Sequence, residues 1–298
     1  MMLRVYLDQN KWVDLARAAV GHPLGEPFQD ALAMCRAAVQ SGIVSFPLDM
    51  YRYWETSKRG SDRSRNEVVD VMRELSRQHT MAVPVAVLDH ELDLALQRRY
   101  GRPARPREQK VFGVGLRHIA GDRMEWPELD LSRHPQVAAA LPPGVRAQLD
   151  NAFCEYLEEY LLRAGPTTYR GLGFDRADSN HAERFVEFEN KLSAAIQQRG
   201  LTGDAIDIAV RAADFGDIKP AIIAALQNIG MTYEQFEGSL TARGLLQFMD
   251  DLPTRYVTNV LRSAKHRQTQ QKWEPNDFTD IVAPEAVKIF EAGWLGIH

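Results

Sequence analysis

The chain has 298 residues, of which 45% are hydrophobic and 26% charged, as in an ordinary soluble globular protein with one large or two modest domains. Its two cysteines lack the paired spacing of a zinc site or a secreted disulfide framework, which favours a reducing, cytoplasmic setting. The net charge of −4 argues against wholesale nonspecific binding of nucleic acid but leaves room for a local basic surface.

The first segment predicts a strand, a polar turn and a helix. Leu3 to Leu7 is a short apolar run typical of a buried parallel strand, and Asp8 falls at its carboxyl end. This run is too short and too soon charged for a signal peptide or a membrane span, so we expect no membrane association. Apolar residues then recur at helical spacing from Lys11 to Val20.

The same order of elements follows a second time. A predicted helix from about Pro27 to Val39 leads into a second apolar run, Ile43 to Pro47, and then into a short helix that carries Glu55. A longer helix is predicted from Arg65 to Gln78, and Met81 to Leu88 is a candidate third strand. Strands that alternate with helices predict an α/β fold with a parallel sheet.

The middle of the chain has a different pattern. From about 89 to 250, helical stretches alternate with Gly-rich or Pro-rich breaks, and no strand signal matches the first two. We therefore predict a discontinuous α/β domain of residues 1–88 and 251–298, which carries a mostly α-helical insertion of residues 89–250.

Acidic residues occur where such a fold would gather them. A helical segment is predicted to restart at Pro275, with Asn276 or Asp277 as its N-cap. Asp277 and Asp280 are three residues apart in its first turn, so they share a face. Ligands of open α/β sheets bind at the carboxyl ends of strands, where Asp8 falls and where the second strand delivers Glu55. Carboxylates on such rigid mounts suit Mg²⁺ or Mn²⁺, which prefer hard oxygen ligands.

Three motifs in this order resemble PIN-like nucleases. They are Val5 to Trp12, Tyr53-Trp54-Glu55, and Trp273 to Ile281. The similarity covers roughly residues 1–85 and 251–283. It implies a three-layer α/β/α sandwich with a parallel sheet, and hydrolysis of phosphodiester bonds, usually of RNA, by metal-activated water.

The resemblance also implies roles for individual residues. Asp8, Glu55, Asp277 and Asp280 match the family's acidic metal ligands, which are its catalytic residues, and Asn10 is a candidate contact of the substrate. Each acid, considered alone, also has a purely structural interpretation. Asp8 is then a helix N-cap, and the two acids near Asn276 complement a helix dipole.

The end of the chain departs from the family, in which a buried strand normally follows the last acidic pair. Here Pro284 would break the helix, and Ala292 to His298 is a poor buried strand. We therefore expect an atypical C-terminus. It favours the alternative of a catalytically silent binding module, which would engage a protein or nucleic-acid partner through its helical region.

Two basic stretches are candidate substrate contacts, Arg98 to Lys110 and Leu252 to Trp273. The second contains no acid and runs into the predicted acidic site, so we expect it to contact phosphates. Its candidate substrate-binding residues are Arg255, Arg262, Lys265, Arg267 and Lys272, with Trp273 available to stack on a base. A solvated helix face is the alternative for either stretch.

The sequence thus predicts a cytoplasmic metal-dependent endoribonuclease, with Mg²⁺ or Mn²⁺ as cofactor. Its partner would be nucleic acid, RNA ahead of DNA. A toxin or defence role fits such an enzyme, and a protein inhibitor or a second copy of the chain are further candidate partners.

Overall fold

The protein is described by a computed structural model, which covers residues 2–101, 111–120, 131–171, 180–268 and 270–282. The chain divides into two compact units. The first comprises Met1–Val83 and Phe112–Asp175, and the second comprises Pro84–Val111 and Arg176–His298.

Helices dominate the described residues. The α-helices are, in chain order, α1 (Gln9–Ala19), α2 (Gln29–Gln40), α3 (Met50–Ser57), α4 (Asp62–Ser76), α5 (Pro84–Tyr100), α6 (Leu116–Ala120), α7 (Pro135–Ala140), α8 (Pro143–Arg163), α9 (Pro166–Gly171), α10 (Asn180–Gln198), α11 (Asp204–Asp217), α12 (Lys219–Asn228), α13 (Tyr233–Gly238), α14 (Ala242–Asp250), α15 (Pro253–His266) and α16 (Pro275–Val282). Pro23–Phe28 forms a 3₁₀ helix. The strands are β1 (Leu3–Arg4), β2 (Val44–Ser45), β3 (His79–Met81) and β4 (Phe112–Val114).

The strands of the first unit form two small sheets. β1 and β2 are parallel, with Leu3 opposite Val44 and Arg4 opposite Ser45. β3 and β4 are antiparallel. An isolated parallel bridge joins Leu48 to Thr80. Two helices, α1 and α2, therefore connect the parallel strands, as a parallel crossover requires.

The core of the first unit is built mainly from helix faces. Trp12 and Leu15 of α1 pack in one cluster with Val69, Met72 and Leu75 of α4, and all five are at most 5% exposed. Their spacing along each helix places them on one apolar stripe, whose burial supplies the main driving force for folding.

The second unit is helical in its described part. Leu92 and Leu96 of α5 pack in one cluster with Phe215, Phe236 and Phe248. The rings of Phe236 and Phe248 meet edge to face, with centroids 5.1 Å apart, an arrangement that aromatic pairs favour. Nowhere in the described ranges of either unit does a helix combine the length and the apolar character needed to cross a bilayer.

The predicted fold class is wrong. The described residues form no three-layer α/β/α sandwich, because their strands make two sheets of two strands each, and one of these is antiparallel. The apolar run from Leu3 to Leu7 pairs only over Leu3 and Arg4, and Leu3 is 52% exposed, so it is not the buried strand of a larger sheet. Pro84, expected in a third strand, begins α5, where its missing N–H leaves no helical hydrogen bond unmade.

The resemblance to PIN-like nucleases is wrong together with the sandwich that it implies. The motifs that suggested it are short, and strand, turn and helix signals of this kind are compatible with a mainly helical unit. The expected atypical C-terminus, residues 283–298, lies outside the described residues, as does most of the basic stretch from Arg98 to Lys110.

Candidate functional site

Two aspartates mark the carboxyl ends of the parallel strands in the first unit. Asp8 follows β1 and caps α1, where its Oδ2 accepts a hydrogen bond from the backbone N–H of Asn10 at 3.2 Å. Asp49 follows β2 and caps α3, where its Oδ1 accepts from the backbone N–H of Arg52 at 2.8 Å. Both are ordinary N-caps, and both lie at the sheet edge where α/β proteins collect ligands.

The guanidinium of Arg52 binds three carboxylates at this edge. It lies 3.3 Å from Oδ1 of Asp8, 3.5 Å from Oδ1 of Asp49 and 3.0 Å from Oε2 of Glu55. A guanidinium has five N–H donors in a fixed plane, so it can serve several carboxylates at once. The predicted residues Asp8 and Glu55 are therefore brought together, with Arg52 between them.

Burial within this group is graded. The side chain of Arg52 is 2% exposed and that of Asp49 7%, whereas Glu55 is 21% and Asp8 50% exposed. The hydroxyl of Tyr6 donates to Oδ2 of Asp49 at 2.9 Å. Arg52 and Asp49 therefore form the inner part of the group, and Asp8 and Glu55 form its accessible rim.

The environment shifts the pKa values of the acids in different directions. Burial would raise the pKa of Asp8, but backbone N–H groups at the start of α1 and the charge of Arg52 outweigh it and hold that pKa below its usual value. Burial raises the pKa of Glu55 despite Arg52, and the nearby charge of Asp8 adds to the increase. Burial also raises the pKa of Asp49 and of the Tyr6 hydroxyl. At the rim, Asp8 therefore stays ionised, whereas Glu55 holds a proton more readily.

The carboxylate oxygens at the rim could hold a metal ion that makes few protein contacts. Asp49 is buried and is committed to Tyr6 and to the α3 cap. Asp8 also caps its helix and pairs with Arg52, but it is half-exposed, so the accessible carboxylates are those of Asp8 and Glu55. Oε2 of Glu55 is buried and makes no hydrogen bond beyond its ion pair with Arg52. Mg²⁺ is often held by one or two carboxylates and several waters, so these two residues fit such an ion.

The acidic metal cluster implied by the resemblance is not found. Across the part of the chain that the structure describes, no three His, Cys, Asp or Glu side chains form a group that could hold a metal ion. Asp8 and Glu55 belong to the first unit, and Asp277 and Asp280 belong to the second.

The two acids of α16 lie in a helix that begins at Pro275, so neither Asn276 nor Asp277 is its N-cap, contrary to prediction. Oδ2 of Asp277 accepts from the backbone N–H of Glu274 at 2.6 Å, and its Oδ1 is paired with Lys265. The first contact is half of a capping box, so Asp277 stabilises the start of its own helix. Asp280 lies in the same helix.

The predicted substrate contacts have different surroundings. Asn10 is exposed next to Asp8. Most of the others are engaged within the second unit: Arg255 with Asp214, Arg262 with Glu189 and Asp214, Lys265 with Asp277, and Arg267 with Asp207. Trp273 is 5% exposed, with its Nε1 donating to Ser193. Lys272 is exposed, and no described residue forms an ion pair with it.

Sequence reasoning missed three members of the group in the first unit, Tyr6, Asp49 and Arg52. Asp49 had a usable signal, because it follows the second apolar run as Asp8 follows the first and begins a helix in the same way. Arg52 lies in a short polar helix and gave no sign of its burial.

Comparison with known proteins adds no relative from which residue roles could be transferred. No family model matches the sequence, and no curated protein or solved structure matches it. Function must therefore be argued from the site itself.

Proposed function

We propose that the first unit hydrolyses phosphodiester bonds, with RNA as the preferred substrate, at the rim formed by Asp8 and Glu55. The observation that carries the proposal is the convergence of these two acids, far apart in sequence, on one guanidinium at the carboxyl ends of two parallel strands. With all groups ionised, three carboxylates face one arginine, so the group keeps a net charge of −2.

This excess charge favours a divalent cation at the rim. A bound Mg²⁺ or Mn²⁺ would neutralise phosphate charge and lower the pKa of a water. Asp8 is half-exposed and keeps its charge, so it is the better placed of the two residues to hold the ion. Glu55, with its raised pKa, is suited to accept a proton from the attacking water. Arg52 acts as a positioning residue, since it is too buried to contact substrate.

The test is cleavage of single-stranded RNA and DNA by the full chain with Mg²⁺, with Mn²⁺ and with EDTA. Asp8→Asn and Glu55→Gln should each abolish metal-dependent cleavage. Glu74→Gln is the matched control, because Glu74 is an exposed carboxylate of the same unit whose partner is Arg36. Cleavage that survives both rim substitutions would refute the assignment.

A second candidate is a binding module without catalysis, which would engage a protein or nucleic-acid partner. The occupation of all three carboxylates by Arg52 favours it, because the group is then satisfied without metal. Thermal melts separate the candidates, since an ion that binds only the folded protein raises the melting temperature by mass action. Absence of both cleavage and a metal-induced rise would favour the binding module.

A further inference from the structure

The second unit contains a cleft that the proposed hydrolysis does not use. Its volume is about 620 Å³, within the usual range of small-molecule sites. It lies between the C-terminal half of α10, the turn that follows it, and the segment after α15. The side chains that line it include Lys265, Arg267, Lys272, Ser193, His266 and Trp273. None of the described lining residues is an aspartate or a glutamate.

The cationic side chains of the cleft differ in how many of their N–H donors are already used in ion pairs. Lys265 is paired with Asp277. Arg267 uses one terminal nitrogen on Asp207, at 2.7 Å, so the other N–H donors of its guanidinium stay available. Lys272 is exposed and, within the described ranges, forms no ion pair. The cleft therefore offers donors and positive charge to an anion.

A chain of buried hydrogen bonds ends at the cleft wall. Nε2 of His266 lies 2.7 Å from Oε2 of Glu189, whose side chain is fully buried. Nδ1 of His266 lies 3.0 Å from Oγ of Ser193. The indole Nε1–H of Trp273 donates to the same oxygen at 3.2 Å. His266 and Trp273 also line the cleft but are buried, whereas Ser193 is only partly buried, so its hydroxyl is the group of this chain best placed to reach a ligand.

The Ser193 hydroxyl keeps one hydrogen-bonding position for a ligand. It has one proton and two lone pairs, and Trp273 donates to one of the lone pairs. The hydrogen bond with Nδ1 of His266 uses either the serine proton or the second lone pair, according to which nitrogen of the ring carries hydrogen. A ligand can therefore accept from the hydroxyl in one arrangement and donate to it in the other.

We propose that this cleft binds a phosphate ester of about mononucleotide size through Lys272, Arg267 and Ser193. The inference is independent of the hydrolysis proposed for the first unit. Several charged groups on and beside α10, α11, α15 and α16 are already in ion pairs: Arg262 with Glu189 and Asp214, Arg255 with Asp214, Lys265 with Asp277, and Arg267 with Asp207. Glu189, shared with Arg262, is the charged group in direct contact with His266.

Sulfate is the first probe, because it carries the same oxygens as phosphate and its charge does not change between pH 5 and pH 8. Calorimetric titration of the full chain should show saturable binding.

Three variants test the residues involved. Lys272→Ala should weaken sulfate binding by about two- to fivefold, as expected for an exposed charge. Lys191→Ala is the matched control, since Lys191 lies on α10, is paired with Glu187 and does not line the cleft. Ser193→Ala should also weaken sulfate binding, because the hydroxyl that faces the ligand is gone. If Ser193→Ala does not fold, Lys272→Ala and the saturation of sulfate binding in the unmodified protein still decide.

The source of the phosphate is distinguished by comparing UMP with a short RNA, with and without a 5′-phosphate. Tighter binding of UMP than of sulfate, with no gain from the RNA, identifies a free nucleotide as ligand. Tighter binding of the phosphorylated RNA alone identifies the end of a strand. The proposal is overturned if sulfate binding is not saturable, or if Lys272→Ala binds as the unmodified protein does.

Discussion

Asp8 and Asp49 occupy equivalent positions on the two parallel strands of the first unit. Arg4 of β1 is paired with Ser45 of β2. Asp8 lies four residues after Arg4, and Asp49 lies four residues after Ser45. Each caps the helix that follows. Their exposure differs, however, since Asp8 is 50% exposed and Asp49 7%. Asp49 therefore fixes Arg52 in place, and Asp8 is exposed enough to contact a ligand.

The first prediction concerns Arg52, the one guanidinium shared by the three carboxylates of this group. Arg52→Met should destabilise the protein by about 3–5 kcal/mol, because it leaves like charges close together without their buried partner. Arg36→Met is the control, since Arg36 and Glu74 are both exposed, and it should cost at most about 1 kcal/mol. Urea unfolding in EDTA measures both values.

Adding Mn²⁺ extends this experiment. If Asp8 and Glu55 bind the ion, Mn²⁺ should restore part of the stability that Arg52→Met loses, because it replaces the missing positive charge. An equal stability of the Arg52→Met variant with Mn²⁺ and with EDTA would count against metal binding at the rim.

The local elements of the first unit could be predicted, but their assembly could not. The helix after Asp8 and the helix that carries Glu55 are confirmed by α1 and α3, because apolar spacing and capping act within a few residues. The extent of a sheet depends on partners far away in sequence. Leu3 has the residue type of a buried strand but lies at an exposed end. Nothing in its immediate neighbours distinguishes the two cases.

The contrast between local and long-range interactions also explains the surroundings of the basic segment from Leu252 to Trp273. Its unbalanced positive charge suggested contact with nucleic acid, yet its arginines meet acids from distant helices, such as Asp207 and Asp214 of α11. Charge balance within a sequence window cannot reveal partners that only the tertiary fold brings close. Ion pairing of this kind was therefore invisible from the sequence.

The second prediction is a pH dependence of cleavage under the proposed function. If Glu55 accepts the proton of the attacking water, it must be ionised, so the rate should fall as the pH drops through its pKa. Since burial raises that pKa, the acid limb should lie above the ordinary value for glutamate, about 4.3.

A charge variant tests this assignment of the acid limb. Lys58 helps to lower the pKa of Glu55, so Lys58→Ala should move the limb to slightly higher pH. Lys11→Ala, a lysine of the same unit paired with Asp14, should leave it in place. A limb that does not respond to Lys58→Ala would assign the titration to another group.

The third prediction contrasts two cations of the basic segment in the second unit. Arg262 is buried between Glu189 and Asp214, both fully buried. Arg262→Ala should therefore destabilise the protein by about 3–5 kcal/mol. Lys272→Ala, at an exposed position, should change stability by less than about 0.5 kcal/mol. Denaturant unfolding of the two variants provides the comparison, and equal effects would contradict the buried role of Arg262.

The last prediction concerns Glu91, a buried carboxyl on α5. Both of its oxygens accept from the backbone N–H of Thr254 at 3.1 Å, and Thr254 lies in the first turn of α15. Burial raises the pKa of Glu91 to about 7, although the hydrogen bonds from Thr254 act to lower it. Folding therefore favours the protonated form between the unfolded pKa of about 4.3 and a pH of about 7.

The sign of the resulting pH dependence follows from this raised pKa. The contribution of Glu91 to stability is fully present below about pH 4.3 and is lost as the pH rises through about 7, because the charged form is then buried. Glu91→Gln removes the charge and keeps the contacts, since its carbonyl can accept from the N–H of Thr254 and its amide can donate to the hydroxyl. At pH 8 the variant should be more stable by on the order of 2 kcal/mol, and near pH 4 the two proteins should be equal. Glu187→Gln, at a fully exposed position on α10, should show no such gain. If Glu91→Gln is instead less stable at every pH, then Glu91 is ionised throughout and stabilises α15 through its charge at the helix start.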